Sequence, residues 1–335
     1  MLDGRYRPEA DIPAPSRERS YYLLFENRLP NRSTFRLSSS RPHVTDPASK
    51  QASTLLQAMA ASIPDAVSAA TVAIAGANGP IVRHFGSGTL LAVADRCFVV
   101  TAAHVIRKAH DAQATVGISG GSHGYFVATP GNWILSQGST QEDPFDIAIY
   151  LLDPSQVARL DRCTFVRIAD VSFNADLSRG YFIVSGFPSI WATESTKAED
   201  AVELRMLQYS TCSYAGNIAG LQSYDARYHL LLEAKPEQVF DLSGAAMQFR
   251  TRSGYPAQMP QDLRGISGCS VWMIGDLATP CETWQAQDAR LVAVETGVFP
   301  TRGAIKSTRW SAVTTLIYAA FPELRPTIDF YADQL

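Results

Sequence analysis

The chain has 335 residues, 46% of them hydrophobic and 18% charged, which is enough to bury the core of two domains or of one large β domain. A formal net charge of -3 argues against a nucleic acid or an anionic membrane surface as partner. No run of about 18 apolar residues occurs, so no membrane span is expected.

In chain order, residues 1–50 come first. They are rich in Arg, Pro and Ser and carry nine Lys/Arg against six Asp/Glu, a local excess of three. This stretch reads as an extended arm, with Tyr21–Phe25 as one anchoring strand. Its start, Met1-Leu2-Asp3-Gly4-Arg5, lacks the apolar core of a signal peptide. The segment Ala48–Met59 suits a helix with Leu55 and Met59 on one side, and Pro64 closes it. From Val72 onward short strands dominate: Val72–Ile74, Gly88–Ala92, Cys97–Thr101, Tyr125–Ala128 and Ile147–Leu151, with Gly and Asp-Arg turns between them. Thr164–Ile168 reads as the passage to a second unit, opened by the apolar run Tyr181–Pro188. Met206–Tyr214, His229–Glu233, Val271–Ile274 and Leu291–Gly297 continue the strand pattern. The end, Trp310–Phe321, has helical periodicity and stops before Pro322. No internal repeat is visible.

Five cysteines (Cys97, Cys163, Cys212, Cys269, Cys281) are an odd number without regular spacing. They read as reduced thiols, and a cytoplasmic location is expected. No C-x-x-C or H-x-x-x-H pair occurs, so neither metal nor cofactor is expected.

Three stretches carry candidate chemistry. Leu263-Arg264-Gly265-Ile266-Ser267-Gly268-Cys269 sets a hydroxyl between two glycines that permit a sharp turn. Its amides at Gly265 and Ser267 can point at one spot, as an oxyanion hole requires. Alone, the stretch is equally a plain Gly/Ser turn. Val99-Val100-Thr101-Ala102-Ala103-His104 follows Gly86-Ser87-Gly88-Thr89, and its small residues leave room for an imidazole beside a nucleophile. Asp143-Pro144-Phe145-Asp146-Ile147-Ala148 places a carboxylate at the start of an apolar strand, where it is costly unless paired. Asp143 competes with Asp146 for that role, and Asp153 lies at the far end of the strand. The order His, Asp, Ser differs from subtilisin and from α/β-hydrolases. Cys269 also breaks the G-x-S-x-G elbow.

On these motifs the chain resembles the trypsin/chymotrypsin-like serine peptidases over roughly residues 70 to 320. The resemblance implies an all-β fold: two antiparallel six-stranded β-barrels with an N-terminal extension and a C-terminal helix. The implied units are residues 1–68 (arm and helix), 69–165 (first barrel, with His104 and Asp146), 166–309 (second barrel, with Ser267) and 310–335 (C-terminal helix and tail). It also implies that Ser267 is the nucleophile, His104 the base and Asp146 the orienting carboxylate, with the oxyanion bound by Gly265 and Ser267. The walls of the substrate pocket would be Gln261 and its neighbours and the strand Glu295-Thr296-Gly297, which could pair with a substrate backbone. Secreted relatives place disulfides after the histidine and before the nucleophile loop, where this chain has no cysteine. Ile266 stands where secreted trypsin-like enzymes have the aspartate that pairs with a newly freed N-terminal amine, so processing of that kind is not expected. The gap from Asp146 to Ser267 is longer than usual, with Trp191–Glu203 and Asp241–Pro260 as polar insertions on the surface.

Two functions follow as expectations. One is a cytoplasmic serine endopeptidase in a regulatory role, acting on a protein or peptide and answering to a regulatory partner protein. The other is a catalytically silent barrel that binds peptides or proteins.

Overall fold

The computed structural model describes residues 22–25, 62–79, 81–120, 126–136, 143–194, 201–204, 206–234, 249–250, 256–257 and 263–333. The expected helix over Ala48–Met59 lies outside them. From the arm, β1 (Tyr22–Phe25) is described, and the anchoring strand is present as read.

Next come β2 (Thr71–Asn78), β3 (Ile81–Val93), β4 (Arg96–Ala102), β5 (Thr115–Ser119), β6 (Phe126–Ala128), β7 (Ile134–Leu135) and β8 (Ile147–Leu151). They pair in the order β6-β5-β2-β3-β4-β8-β7. The two ends of this path, β6 and β7, are pieces of one connection joined through residues 129–133, so the sheet closes on itself. The strand β9 (Val166–Arg167) runs parallel to β3 and leads to the second barrel.

That barrel contains β10 (Gly180–Gly186), β13 (Leu207–Cys212), β14 (His229–Glu233), β17 (Ser270–Asp276), β18 (Arg290–Phe299) and β19 (Ala304–Arg309). Its order is β13-β10-β17-β18-β19-β14, and an antiparallel bridge between Ser213 and Leu232 joins the ends. Counting strands along the chain within each barrel, and taking β6 and β7 as one, both barrels run 2-1-4-5-6-3. The fold is therefore two antiparallel β-barrels of one topology, a duplication with no visible trace in the sequence.

Alternation explains why several strands are buried on both faces. In β8, Ala148 and Tyr150 face the interior of the first barrel with Val72, Leu90 and Ile118, while Ile147 and Ile149 face a shared core. That shared core joins Phe98 and Val100 of β4 to Trp272, Leu291 and the C-terminal helix Trp310–Ala320. Trp310, Val313 and Ile317 of the helix are fully buried there. Their spacing is the three- and four-residue repeat that puts one helix face on a core. This helix was legible in the sequence. A second helix, Arg325–Ala332, follows it with Pro326 in its first turn.

The stretch read as a polar surface insertion over Trp191–Glu203 instead contains strands. β11 (Thr193–Glu194) and β12 (Ala201–Leu204) pair antiparallel, and β1 adds to β12 in parallel. Leu204 packs with Phe187 against Ala73, Ala75 and Ala77, whose small side chains leave that face of β2 open to a neighbour. The Asp241–Pro260 stretch is described only at β15 (Phe249–Arg250) and β16 (Pro256–Ala257), which pair antiparallel.

Candidate active site

His104 stands at the second position of the helix Ala103–Asp111, directly after β4. The helix is held down by Val105, Ile106 and Ala109, all fully buried. His104 Nδ1 lies 2.6 Å from Asp146 Oδ2, and the His104 amide donates to Asp146 Oδ1 at 2.8 Å. One carboxylate thus grips both the ring and the backbone of the histidine. With Nδ1 as the donor in that pair, Nε2 is left as the unprotonated nitrogen of the neutral ring.

Asp146 has φ +50°, a left-handed conformation uncommon outside glycine. Several bonds hold it there. Asp143, the competitor, does not reach the histidine. Its Oδ1 accepts from the amides of Phe145 and Asp146 at 3.2 and 3.0 Å. Its Oδ2 accepts from Ser136 Oγ and Arg107 Nη2, each at 2.7 Å. Ser136 Oγ also accepts from the Ile147 amide at 2.8 Å. The second barrel braces the same loop. Thr308 Oγ1 donates to the Phe145 carbonyl at 2.7 Å, and His229 Nε2 lies 2.6 Å from the Pro144 carbonyl. His229 Nδ1 accepts from the Asp225 amide at 2.9 Å, which assigns Nε2 as the donor. Burial lowers the pKa of His229, keeping it in that neutral form. Asp153, at the other end of β8, caps the helix Pro154–Ala158 through a reciprocal pair with Gln156.

Ser267 is half-buried in the turn before β17. Gly265 and Gly268 have φ +96° and +91°, and both are hemmed in by backbone. A Cβ on Gly268 would lie 2.1 Å from the Ser87 carbonyl and from Thr101 Oγ1, so no other residue fits. Ser87, the centre of Gly86-Ser87-Gly88, is the anchor of this loop. Its amide donates to the Ser267 carbonyl and its hydroxyl to the Gly265 carbonyl, both at 2.8 Å. The same hydroxyl accepts from the Phe187 amide at 2.8 Å. Thr101 of the Thr-Ala-Ala-His motif donates to the Ser87 carbonyl at 2.6 Å, so the histidine motif and the serine loop are tied through one residue.

The Ser189 amide donates to the Arg264 carbonyl at 2.7 Å. In a trans peptide the Gly265 amide then points the opposite way. The amides of Ile266, Gly268 and Cys269 are taken by Leu263, Glu295 and Ile266. Those of Gly265 and Ser267 have no hydrogen-bond partner among the described residues. Ile266 is 1% exposed and packs with Leu263, Cys269 and Val271.

Ser267 is brought against the His104 helix. A Cβ on Gly86 would meet the Ser267 carbonyl at 2.9 Å and the Val105 side chain at 2.6 Å. The Ser267 hydroxyl and His104 make no direct hydrogen bond. Such bonds are often long without substrate. The carboxyl that interacts with that hydroxyl is that of Glu295, fully buried on β18. Burial raises its pKa from 4.5 to about 8. The Ser267 hydroxyl, Lys306 and the Gly297 amide pull it down, and Asp146 pushes it up. Neither carboxyl oxygen makes a hydrogen bond of good geometry.

Of the expected pocket walls, Gln261 lies outside the described residues. Glu295 and Thr296 are buried and Gly297 is half-buried. Up to Glu295, β18 is bonded on both sides. Beyond it, among the described residues, it pairs with β19 alone, which leaves the other edge at Thr296 and Gly297 unpaired. The residues sequence reasoning missed are Ser87, Ser136, His229 and Thr308. Ser87 sat inside a quoted motif, and nothing marked the other three.

None of the five cysteines is in a disulfide. No helix among the described residues is long and apolar enough to cross a membrane.

The fold is two antiparallel β-barrels of one topology followed by a C-terminal helix, as the resemblance implied. No protein-family model and no curated protein matches the chain. Solved structures do. A thermostable serine protease from an extremophilic microorganism is 11% identical, with a TM-score of 0.43 over 76% of this chain and 98% of that one. A scabies mite inactivated protease paralogue is 16% identical, with a TM-score of 0.43 over 78% and 98%. Tobacco etch virus protease is 9% identical, with a TM-score of 0.37 over 73% and 75%.

Proposed function

We propose that the chain is a serine endopeptidase that cleaves peptide bonds through an acyl-enzyme on Ser267. The observation that carries this reading is the grip of Asp146 on His104, at 2.6 Å to Nδ1 and 2.8 Å to the amide, on the flank of a loop whose Gly265 and Ser267 amides are unclaimed. His104 Nε2 takes the proton from Ser267 Oγ as that oxygen attacks the scissile carbonyl. The Gly265 and Ser267 amides bind the oxyanion. His104 then gives the proton to the leaving amine, and water, activated by the same nitrogen, releases the acyl group. The unpaired edge at Thr296 and Gly297 supports pairing with an extended substrate backbone. The working units of this reading are residues 69–165 and 166–309, and five cysteines without a disulfide support a reducing, cytoplasmic setting.

A second reading, a silent barrel that grips peptides, is favoured by one observation: the Ser267 hydroxyl sits by Glu295 and makes no hydrogen bond to His104. Labelling with a fluorophosphonate probe separates the two, because it needs an activated serine. The peptidase reading expects labelling of the wild-type chain and none of Ser267→Ala. Labelling that persists in Ser267→Ala removes Ser267 from the role, and a folded wild-type chain that never labels is the silent barrel.

A further inference from the structure

Glu295 is an odd residue to find where it is. Its own backbone is clamped to the serine loop, since its amide donates to the Cys269 carbonyl at 2.9 Å and its carbonyl accepts from the Gly268 amide at 2.8 Å. The side chain is therefore held beside Ser267 by bonds to the two residues that follow the serine. It is 0% exposed, and both its carboxyl oxygens lack a well-formed hydrogen bond. A buried carboxylate without such bonds is costly, whereas a buried carboxylic acid is much less so.

The groups around it are few. Asp146 faces it from the loop before β8, Lys306 from β19, and Cys269 from the turn before β17. His104 and Arg107, on the helix after β4, reach it only through Asp146. His229, on β14, interacts with Lys306. Asp146 and Glu295 are like charges if both ionise, and one buried lysine is the only cation in this set that acts on Glu295 itself.

We infer that Glu295 is a positioning residue for the Ser267 hydroxyl: its neutral carboxyl leaves that hydroxyl to His104, and its carboxylate takes it away. The reason is competition between acceptors. The hydroxyl has one proton to donate. A neutral carboxyl is a weak acceptor beside an imidazole nitrogen. An ionised one accepts a charge-assisted bond of roughly twice the strength of a neutral pair. It would then hold the proton that His104 must remove. Ionisation also adds negative charge next to Asp146 and to the place where a second anion, the tetrahedral oxygen, has to form. The chain would thus be active as long as Glu295 keeps its proton and fall silent as the pH rises past that point.

The inference rests on the peptidase reading of Ser267, and two measurements on the full chain separate them. The first is the fluorophosphonate labelling rate at pH 7 and pH 9, compared as a ratio. With a midpoint of about 8, the wild-type rate at pH 9 should fall to about a tenth of that at pH 7. In Glu295→Gln, which cannot ionise, the ratio should be one or greater. The same fall in both proteins overturns the inference. The second needs no activity. The carboxyl resonance of Glu295 in a 13C-glutamate-labelled chain, identified by its loss in Glu295→Gln, is titrated in the wild type and in Ser267→Ala. Removing the hydroxyl should move the midpoint upward, because the hydroxyl favours the charged form. An unmoved midpoint means the two groups do not meet, and the inference fails. If neither protein labels at any pH, the peptidase reading is refuted, and the contact between Glu295 and Ser267 stands or falls on the resonance.

Discussion

Replacing Glu295 with glutamine should stabilise the fold, and by an amount that grows with pH. The carboxyl titrates near 4.5 when exposed and at about 8 in the folded chain, because burial opposes its charge. Below pH 4.5 both folded and unfolded chains hold the proton, and the wild type suffers no penalty from it. Between 4.5 and 8 the unfolded chain ionises while the folded one does not, so stability is lost progressively with rising pH. Above 8 both are ionised and the loss is complete. At about 1.4 kcal/mol for each pH unit of that window, the total comes to about 4 to 5 kcal/mol. The group is fully buried, so surface screening does not reduce this. Glutamine fills nearly the same volume and carries no charge. The assay is urea unfolding of both proteins from pH 4 to pH 9.5, compared at equal slope. All other groups titrate alike in the two chains and cancel in the difference. That difference should be flat near pH 4 and should widen in favour of glutamine toward pH 9. Parallel curves, with less than about 1 kcal/mol of widening, would show that Glu295 is not a buried carboxyl, and the reasoning on its role would go with it.

Asp146→Asn should keep the fold, since asparagine tolerates the φ of +50° better than most residues. It should lower peptidase turnover on the order of a thousandfold or more by reversing the donor at His104 Nδ1, measured with a fluorogenic peptide. Near-normal turnover would mean that the carboxylate does not orient the base. Ser87→Ala strips bonds from the Gly265 carbonyl and the Phe187 amide. Leaving them buried and unpaired should cost about 1 to 3 kcal/mol in thermal unfolding, with a loss of kcat larger than any rise in KM. An unchanged kcat would show that the oxyanion loop is set by something else. Reducing agent should leave the melting temperature unaltered, since none of the five cysteines is in a disulfide, and a clear drop would reveal one.

Much of the fold could be read from pattern. Ile147–Leu151 and His229–Glu233 form strands with the bounds expected, because apolar runs between turn residues are a local signal. The strand Ala304–Arg309 was not read. Lys306, Ser307 and Thr308 are polar, and they lie in a strand only because β18 and β14 pair with it on either side. The short strand Thr115–Ser119 escaped for a similar reason. Gly117 weakens it locally, yet Phe126 of the neighbouring strand fills the space a Cβ would take. In the candidate site, His104, Asp146 and Ser267 could be proposed from sequence because each sits in a motif of the family that the chain resembles. Choosing between Asp146 and Asp143 needed geometry: both precede the same strand, and only the loop's bonds show that one carboxylate faces the ring while the other shapes the turn. Glu295 looked like a pocket wall. Its burial depends on which strands flank it, which no local pattern encodes.

The way this loop is held bears on how the chain would be switched. In secreted trypsin-like enzymes, as the resemblance implies, the residue before the nucleophile must pair with an incoming amine before the oxyanion amides settle. Here that residue is Ile266, buried among Leu263, Cys269 and Val271, where an ammonium would find no partner and would cost several kcal/mol. The work of ordering the loop passes to neutral groups: Ser87 on two carbonyls, Ser189 on a third, and the Gly268 amide on Glu295. None of these bonds depends on a free terminus, and all are already made in the chain as it stands. On the proposed peptidase reading, a loop assembled in this way would need no cleavage to become competent. Among the described residues of the site, Glu295 is the buried carboxyl without a good hydrogen bond, and its charge is the variable through which the proposed nucleophile would be controlled.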